Sequence, residues 1–179
     1  NTVDPEVMIK NYGADAVRWF ILSDSPPEKD IQWSDTGVLS ANKFLQKFWV
    51  LTNLILKRKN AEKNTDSNLE KKFSKEISKL IGKIDSAIEN FRFNVSIAIF
   101  HEAYKFIYEN LNSKIKNEIY VKNTIELIKT LIPFTPHFAY ECLEILDCKN
   151  TDNWPEINED VFDEIKLPKN KFATLFLNM

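Results

Sequence analysis

The stretch SDSPPEKDIQWSDTG, residues 23–37, interrupts a chain whose hydrophobic pattern is otherwise helical. Pro26 and Pro27 end a helix, because neither has an amide N–H and each restricts the residue before it. The DIQW segment that follows has the alternation of a brief strand. Ser34 or Asp35 can then cap a new helix. The stretch therefore predicts a junction between two helical parts of the chain.

Composition favours helices throughout the 179 residues. Only three glycines are present, and sheet-rich folds and phosphate-cradling loops need more. No run of about 18 apolar residues occurs, so no membrane span is expected. Cys142 and Cys148 are expected to be reduced structural thiols, in agreement with a cytoplasmic protein. The first residues, NTVDPEV, resemble neither a methionine start nor a signal peptide, so the chain is expected to begin within a larger protein.

Two short helices are predicted before the junction and one long helix after it. Asp4 is a suitable N-cap, Pro5 suits a first helical position, and Gly13 suits a C-terminal cap before a second helix. The long helix should run from about residue 35 to about residue 58. It is apolar on most of its circumference, so we expect it near the centre of a bundle.

Four further helices complete the predicted bundle, over about 69–90, 95–112, 115–131 and 136–146. Near the C-terminus, EIKLP and KFATLFL have the composition of one or two short strands. The predicted fold class is therefore mainly α, a helical bundle with one or two short strands at its C-terminus.

Charge is unevenly distributed along the chain, although the net charge is only −2. Residues 42–83 carry eleven basic and four acidic residues, a net charge of +7. Residues 150–164 carry six acidic residues and no basic ones. A strongly basic block within an acidic chain indicates that one face contacts a polyanion.

A row of lysines on the 69–90 helix is the most regular part of this block. Its members recur every fourth residue on the polar side of the helix: Lys71, Lys75, Lys79 and Lys83. Such a row can follow a phosphate backbone, whose contacts give affinity without reading sequence. The alternative is an ordinary solvated face, on which Glu70 and Glu76 form ion pairs within the helix.

Other basic residues are further candidates for such a surface: Lys43, Lys47, Lys57, Arg58 and Arg92. Arg18 beside Trp19 has the pattern of a packing pair. The two histidines, His101 and His137, are expected to be structural. The spacing of the residues indicates no metal-ligand cluster, phosphate loop or acid–base pair.

The first 38 residues resemble the segment that follows the KMSKS signature loop in class I aminoacyl-tRNA synthetases. The pieces N-x-V-D-P and Y-G-A-D-A-x-R are shared by the leucine, isoleucine, valine and methionine enzymes. SDSPPEKDIQWSDTGV followed by ANKFLQKFW is narrower, and resembles bacterial-type leucyl-tRNA synthetases. FRFNVSIA, LIPFTPHFA and NWPEIN agree with this later in the chain. Residues 140–143, Tyr-Glu-Cys-Leu, depart from the family's Glu-Glu-Leu-Trp run, which we interpret as a change in packing.

The resemblance implies three regions. Residues 1–34 would end the stem-contact region, 35–148 would form the anticodon-binding type of helical bundle, and 149–179 would be a linker and the start of an incomplete C-terminal domain. The full enzyme would join leucine to its tRNA with ATP and Mg²⁺ through a leucyl-adenylate, as a cytoplasmic monomer. Its catalytic and editing domains would lie upstream, so this chain alone is expected to hold no catalytic residue, metal or cofactor and to be inactive.

The resemblance also implies residue roles. The bundle would support leucine tRNA through phosphate and sugar contacts and would not read the anticodon. Asn1, Thr2 and Val3 would adjoin the ATP-side signature loop, and Asp4 would cap the helix that anchors it. The tRNA-binding candidates are Arg18, Trp19, Lys43, Lys47, Lys57, Arg58, Lys71, Lys75, Lys79, Lys83 and Arg92.

Two other interpretations remain open from the sequence. The chain could be the same region of an isoleucyl- or valyl-tRNA synthetase, although the Trp-Ser-Asp-x-Gly motif after the prolines argues against this. A non-enzymatic helical protein–protein interaction module would also explain the amphipathic helices. In the synthetase interpretation, the strand that pairs with Asp30–Trp33 precedes Asn1. We therefore expect Asp30–Trp33 to be poorly paired and held by burial of Trp33 against the long helix.

Overall fold

The computed structural model describes residues 3–58 and 65–156, and within these ranges it contains helices and no strand. The helices are α1 (Pro5–Tyr12), α2 (Ala14–Asp24), α3 (Asp35–Lys57), α4 (Ser67–Glu89), α5 (Phe93–Glu109), α6 (Asn117–Lys129) and α7 (Pro136–Ile145). This is the predicted mainly α bundle. The predicted C-terminal strands lie outside the described residues, as does most of the predicted 149–179 region. No helix of the described ranges combines the length and apolar character that crossing a membrane requires.

The caps of α1 are those predicted from the sequence. The Asp4 carboxylate accepts a hydrogen bond from the Glu6 amide at 2.9 Å, and Pro5 is the first helical residue. Gly13 ends α1 at φ 84°, a conformation that favours glycine, and its amide donates to the Ile9 carbonyl at 2.8 Å. The chain turns sharply there, so α2 begins at the next residue and packs beside α1.

The junction forms no strand. Residues 30–33 have no regular secondary structure, which confirms the expectation of poor pairing and rules out the brief strand. The Trp33 ring lies edge-on to Phe20 of α2, with ring centroids 5.3 Å apart, and its indole N–H donates to the Asp35 carboxylate at 2.8 Å. Trp33 is thus only half-buried and its ring packs on α2, whereas we had expected burial against the long helix.

Close contact between α2 and α3 explains the glycine in the Trp-Ser-Asp-x-Gly motif. Ser34 caps α3 by accepting a hydrogen bond from the Gly37 amide at 3.1 Å. A Cβ atom at Gly37 would lie 2.7 Å from Cδ2 of Phe20, which is too close for any side chain. The motif therefore supplies both the cap that starts α3 and the space that lets α2 pack against it.

The expectation that α3 lies near the centre of the bundle holds for one of its faces. α3 packs against α1, α2 and α7, and its Phe44 and Phe48 rings contact Tyr104 of α5. Its outer face leaves Leu39, Val50 and Leu54 exposed. α2 is more fully enclosed by its neighbours, and its Trp19 side chain is only 2% exposed. The apolar residues around α3 predicted more burial of this helix than the structure shows, because several of its apolar side chains face away from the core.

The second half of the core is built on α4, α5 and α6. The Phe73 ring of α4 stacks between Tyr120 and Phe106, with centroid distances of 4.9 and 5.4 Å. α5 begins at Phe93, two residues earlier than predicted. The reason is a tight turn at Phe91, which has a φ of 54° and lets the Arg92 amide donate to the Ala87 carbonyl.

Candidate nucleic-acid interface

The lysine ridge of α4 (Lys71, Lys75, Lys79 and Lys83) lies opposite the buried apolar face of that helix. Lys71, Lys75 and Lys83 are exposed and Lys79 is half-exposed. Lys83 Nζ lies 4.0 Å from a carboxylate oxygen of Glu102 on α5, so this end of the ridge adjoins a second helix. The structure thus presents the four ammonium groups along one side of α4, as the four-residue spacing predicted.

Glu70 makes a contact outside its own helix, although the alternative interpretation offered it as a partner for a helix ion pair. Its side chain is buried, and its carboxylate accepts a hydrogen bond from the Lys116 amide at 3.1 Å. Lys116 occupies the N-cap position of α6, so the carboxylate stabilises the start of another helix. Glu70 therefore joins α4 to α6, a role that the spacing within α4 did not indicate.

The lysines of α3 form a second basic surface. Lys43, Lys47 and Lys57 are all exposed on this helix. Lys47 lies close enough to His101 of α5 for its charge to affect the pKa of that histidine. The pKa of His101 is lowered first by burial of part of its ring and then by the charge of Lys47. Lys47 consequently lies near the exposed side of α5.

Arg58 holds together parts of the bundle. Its guanidinium donates to the carbonyls of Leu111, Ser113 and Ile115 at 2.8, 3.1 and 2.8 Å. It also donates to the Asn117 side chain at 3.2 Å, and it lies 4.2 Å from the centre of the Tyr120 ring. Through these contacts the Arg58 guanidinium joins the α5–α6 connection to the end of α3. They favour a structural role for Arg58 over RNA contact.

Arg18 and Trp19 also make internal contacts. Arg18 donates from Nη2 to the Pro133 carbonyl at 3.0 Å and from Nε to the Phe134 carbonyl at 3.4 Å. Trp19 stacks on Phe44 with ring centroids 5.0 Å apart, deep in the core. The Trp19 side chain therefore offers almost no surface to RNA.

The remaining predicted residues lie at the α4–α5 turn and at the start of α1. Arg92 is exposed at the α4–α5 turn beside the exposed ring of Phe91. Asp4 is exposed and caps α1, and Val3 is half-buried. Asn1 and Thr2, the other residues predicted beside the signature loop, lie outside the described residues.

Asp15 is a residue whose role the sequence did not reveal. One oxygen of its buried carboxylate accepts a hydrogen bond from the Phe138 amide at 2.6 Å, and the other lies 3.2 Å from Nδ1 of His137. Phe138 is the third residue of α7, where the helix's own N-cap residue usually accepts this bond. The Thr135 hydroxyl instead donates to the Leu131 carbonyl at 3.4 Å. Asp15 thus caps α7 from another helix, and no local pattern could show this.

Asp85 is a second buried carboxylate. One oxygen accepts a hydrogen bond from the Trp154 indole N–H at 2.6 Å, which ties the segment after α7 to α4. The other has no hydrogen-bond partner among the described residues. Burial raises the pKa of Asp85 to about 6, against the lowering effect of the Trp154 hydrogen bond, and the charge of Glu89 adds to the rise.

This raised pKa predicts a pH-dependent stability. An aspartate in the unfolded chain titrates near pH 4, so the folded protein holds the Asp85 proton more tightly. The resulting stabilisation is present below about pH 4 and is lost as the pH rises through about 6. We expect wild-type stability, relative to an Asp85→Asn variant, to fall by about 2 kcal/mol between pH 4.5 and pH 7.5. Urea unfolding at both pH values measures this, and Asp152→Asn, at an exposed position, should show no such change.

The described residues contain no group of three or more His, Cys, Asp or Glu side chains that could hold a metal ion. Cys142 and Cys148 are free thiols, as predicted. Burial raises the pKa of Cys142 to about 12, so this thiol stays protonated and serves packing.

Comparison with known proteins identifies the family. A family model described as the anticodon-binding domain of tRNA ligase matches residues 70–176. Leucine–tRNA ligase of Hyphomonas neptunium is 34% identical over 88% of this chain and 19% of its own length. Leucine–tRNA ligase of Prochlorococcus marinus (strain AS9601) is 37% identical over 92% of this chain, again 19% of its own length.

A solved structure agrees with this fold. The crystal structure of the ternary complex of Agrobacterium radiobacter K84 agnB2 LeuRS, tRNA and LeuAMS matches with a TM-score of 0.77 and 26% identity. The match covers 90% of this chain and 22% of that one. The chain thus spans about a fifth of the length of its relatives. It belongs to the family of anticodon-binding domains of tRNA ligases.

Proposed function

We propose that this chain is the tRNA-supporting helical part of a leucine–tRNA ligase. The observation that carries the proposal is the alignment of leucine–tRNA ligases with 88% to 94% of the chain, together with the match to the anticodon-binding family. The family match begins at residue 70, whereas the alignment with the ligases also takes in α2 and α3. The division into the end of a stem-contact region (1–34), a bundle (35–148) and a C-terminal linker (149–179) stays a prediction.

The complete ligase would activate leucine with ATP and Mg²⁺ as leucyl-adenylate and transfer it to leucine tRNA. The catalytic and editing domains would be other parts of the same protein. The candidate surface described above consists of lysines and has no catalytic arrangement, so its task would be to position tRNA for chemistry elsewhere. That the ligase works as a cytoplasmic monomer rests on the resemblance alone and stays a prediction.

We place the tRNA contacts on the exposed basic side chains. Successive lysines of the α4 ridge are separated by about 6 Å along the helix axis, since each residue adds 1.5 Å. Such a row can meet successive phosphates of one strand without reading bases. Lys43, Lys47 and Lys57 on α3 and Arg92 at the α4–α5 turn would extend the surface. Arg18, Trp19 and Arg58 would act indirectly, by holding the helices that carry it.

The salt dependence of tRNA binding tests this placement. Replacing all four ridge lysines with alanine should weaken binding of a bacterial leucine tRNA transcript and reduce its dependence on salt. Each phosphate contact contributes about 0.7 to 0.9 to the slope of log K against log salt, so loss of four contacts should reduce the slope by about 3. Fluorescence anisotropy titrations at several salt concentrations measure both quantities.

A matched variant separates specific contacts from net charge. Lys10, Lys29, Lys122 and Lys149 are exposed lysines outside the ridge, and replacing all four with alanine removes the same total charge. This variant should retain most of the wild-type slope. Equal losses in both variants would count against the ridge as the contact surface. Absence of tRNA binding by the wild-type chain at low salt would overturn the proposed function.

A further inference from the structure

A cavity of about 330 Å³ lies between α2, the first half of α3 and α5. Its lining includes the few exposed atoms of Trp19 and Phe20, which are 2% and 3% exposed, and the polar residues Ser23, Asp24, Ser40 and His101. Its volume lies at the lower end of the range of small-ligand sites. None of the predicted tRNA-binding lysines lines it, but Lys47 is close enough to His101 to lower that residue's pKa.

The Ser23 and Ser40 hydroxyls and the Asp24 carboxylate offer this cavity acceptors of hydrogen bonds. Ser23 Oγ donates to the Phe20 carbonyl at 2.8 Å, and Ser40 Oγ donates to the Thr36 carbonyl at 2.7 Å. A hydroxyl has a single proton, so these bonds leave both oxygens with only lone pairs for a ligand. The Asp24 carboxylate is also an acceptor. The cavity therefore suits a ligand that presents N–H groups.

His101 supplies a flat ring at the edge of the cavity. Its imidazole lies 4.0 Å from Phe44 and 6.1 Å from Trp19, measured between ring centroids, while the residue stays exposed on its outer side. Because burial and Lys47 both lower its pKa, the ring is neutral near pH 7. A neutral aromatic ring that packs against Phe44 and Trp19 and is partly exposed can stack with a nucleic-acid base.

We propose that this cavity binds one unpaired RNA base that carries an amino group: adenine, cytosine or guanine. The base would stack on His101 and donate its amino N–H groups to Asp24 and the serine oxygens, and Lys47 would meet the adjoining phosphate. The proposal rests on the proposed function and adds base selectivity to it, since the α4 ridge contacts phosphates alone. Uracil has no amino group and presents only its N3–H group, so it would satisfy fewer of these acceptors.

Five RNA hairpins with the same stem test the proposal. Four of them carry a single bulged nucleotide, A, C, G or U, and the fifth has no bulge. Anisotropy titrations of the full chain should show about tenfold tighter binding of the A, C or G bulge than of the U bulge. His101→Ala should lower affinity for the A, C and G bulges only, and His101→Phe should restore stacking. Asp24→Asn should reduce the difference in affinity between the U bulge and the other bulges, because the asparagine amide can also donate a hydrogen bond. Asp152→Asn, at another exposed acid, should change nothing.

The outcomes separate this inference from the proposed function. Equal affinity for the bulged and unbulged hairpins, or equal loss for both in His101→Ala, would overturn the base-binding cavity and leave the phosphate surface intact. No binding of any hairpin or of tRNA at low salt would overturn both. Affinity that is equal for all four bulges but higher than for the unbulged hairpin would overturn the selectivity assigned to Asp24.

Discussion

The variant Arg58→Ala is expected to lose about 3 kcal/mol of unfolding free energy. The wild-type guanidinium satisfies three backbone carbonyls and the Asn117 side chain, and it covers the Tyr120 ring. Alanine leaves these partly buried acceptors without their charged donor. Lysine should recover little of the loss, since a single ammonium group cannot reproduce the planar fork of donors.

Chemical denaturation of Arg58→Ala, Arg58→Lys and Lys57→Ala measures this effect. Lys57 is the neighbouring residue, it is exposed, and its replacement removes the same charge. Surface substitutions of this kind usually change stability by less than about 0.5 kcal/mol. If Lys57→Ala proved as destabilising as Arg58→Ala, the effect would come from the charge of the α3 terminus and not from the bonds of the guanidinium.

The second large effect is expected at Asp15. Asp15→Ala should lower the free energy of unfolding by about 2 kcal/mol, because the Phe138 amide loses its acceptor and α7 loses its cap. The partner His137 makes a much smaller contribution, since 80% of its side chain is exposed. Asp15→Asn should fall between wild type and alanine, because it keeps an oxygen for one hydrogen bond.

Thermal and urea unfolding of the Asp15 variants, with His137→Ala as the control, measures this difference. His137→Ala should cost less than about 0.5 kcal/mol, as an exposed partner of a hydrogen bond does. Hydrogen exchange gives a local readout, because the Phe138 amide should exchange faster in Asp15→Ala than amides of α4. Unchanged protection of that amide would contradict the assigned cap.

Together these contacts join the first part of the chain to the rest of the bundle. Asp15 and Arg18 of α2 bind either side of the bend between α6 and α7, and Arg58 at the end of α3 binds the connection before α6. The same contacts fix the lysine-bearing helices α3 and α4 relative to α1 and α2.

Most of the helices could be predicted from the sequence because their signals are local. Asp4, Pro5 and Gly13 determine the ends of α1, and Ser34 determines the start of α3 through a bond to Gly37, three residues later. The four-residue repeat of α4 placed its lysines on one side. Each signal depends on hydrogen bonds or side-chain periodicity within one or two helical turns.

Pairings between distant residues were not predictable in this way. The apolar pattern of α3 could not show which of its faces would meet α2, so it did not indicate that Leu39, Val50 and Leu54 would be exposed. Glu70 has the spacing of a helix ion pair, yet its carboxylate reaches the start of α6. The cavity beside His101 has walls from three helices, and none of its residues is distinctive alone.

The sequence by itself determined where the helices begin and end, the row of lysines on α4 and, through its junction motif, the resemblance to synthetases. Tertiary structure alone decided which basic side chains bind carbonyl groups in distant parts of the chain. Arg18, Arg58 and Lys43 are equivalent as basic residues in a sequence, but among these three only Arg58 and the exposed Arg18 donate to backbone carbonyls elsewhere in the described residues. A charged side chain becomes structural when folding brings acceptors to it, and those acceptors lie 53 to 116 residues away.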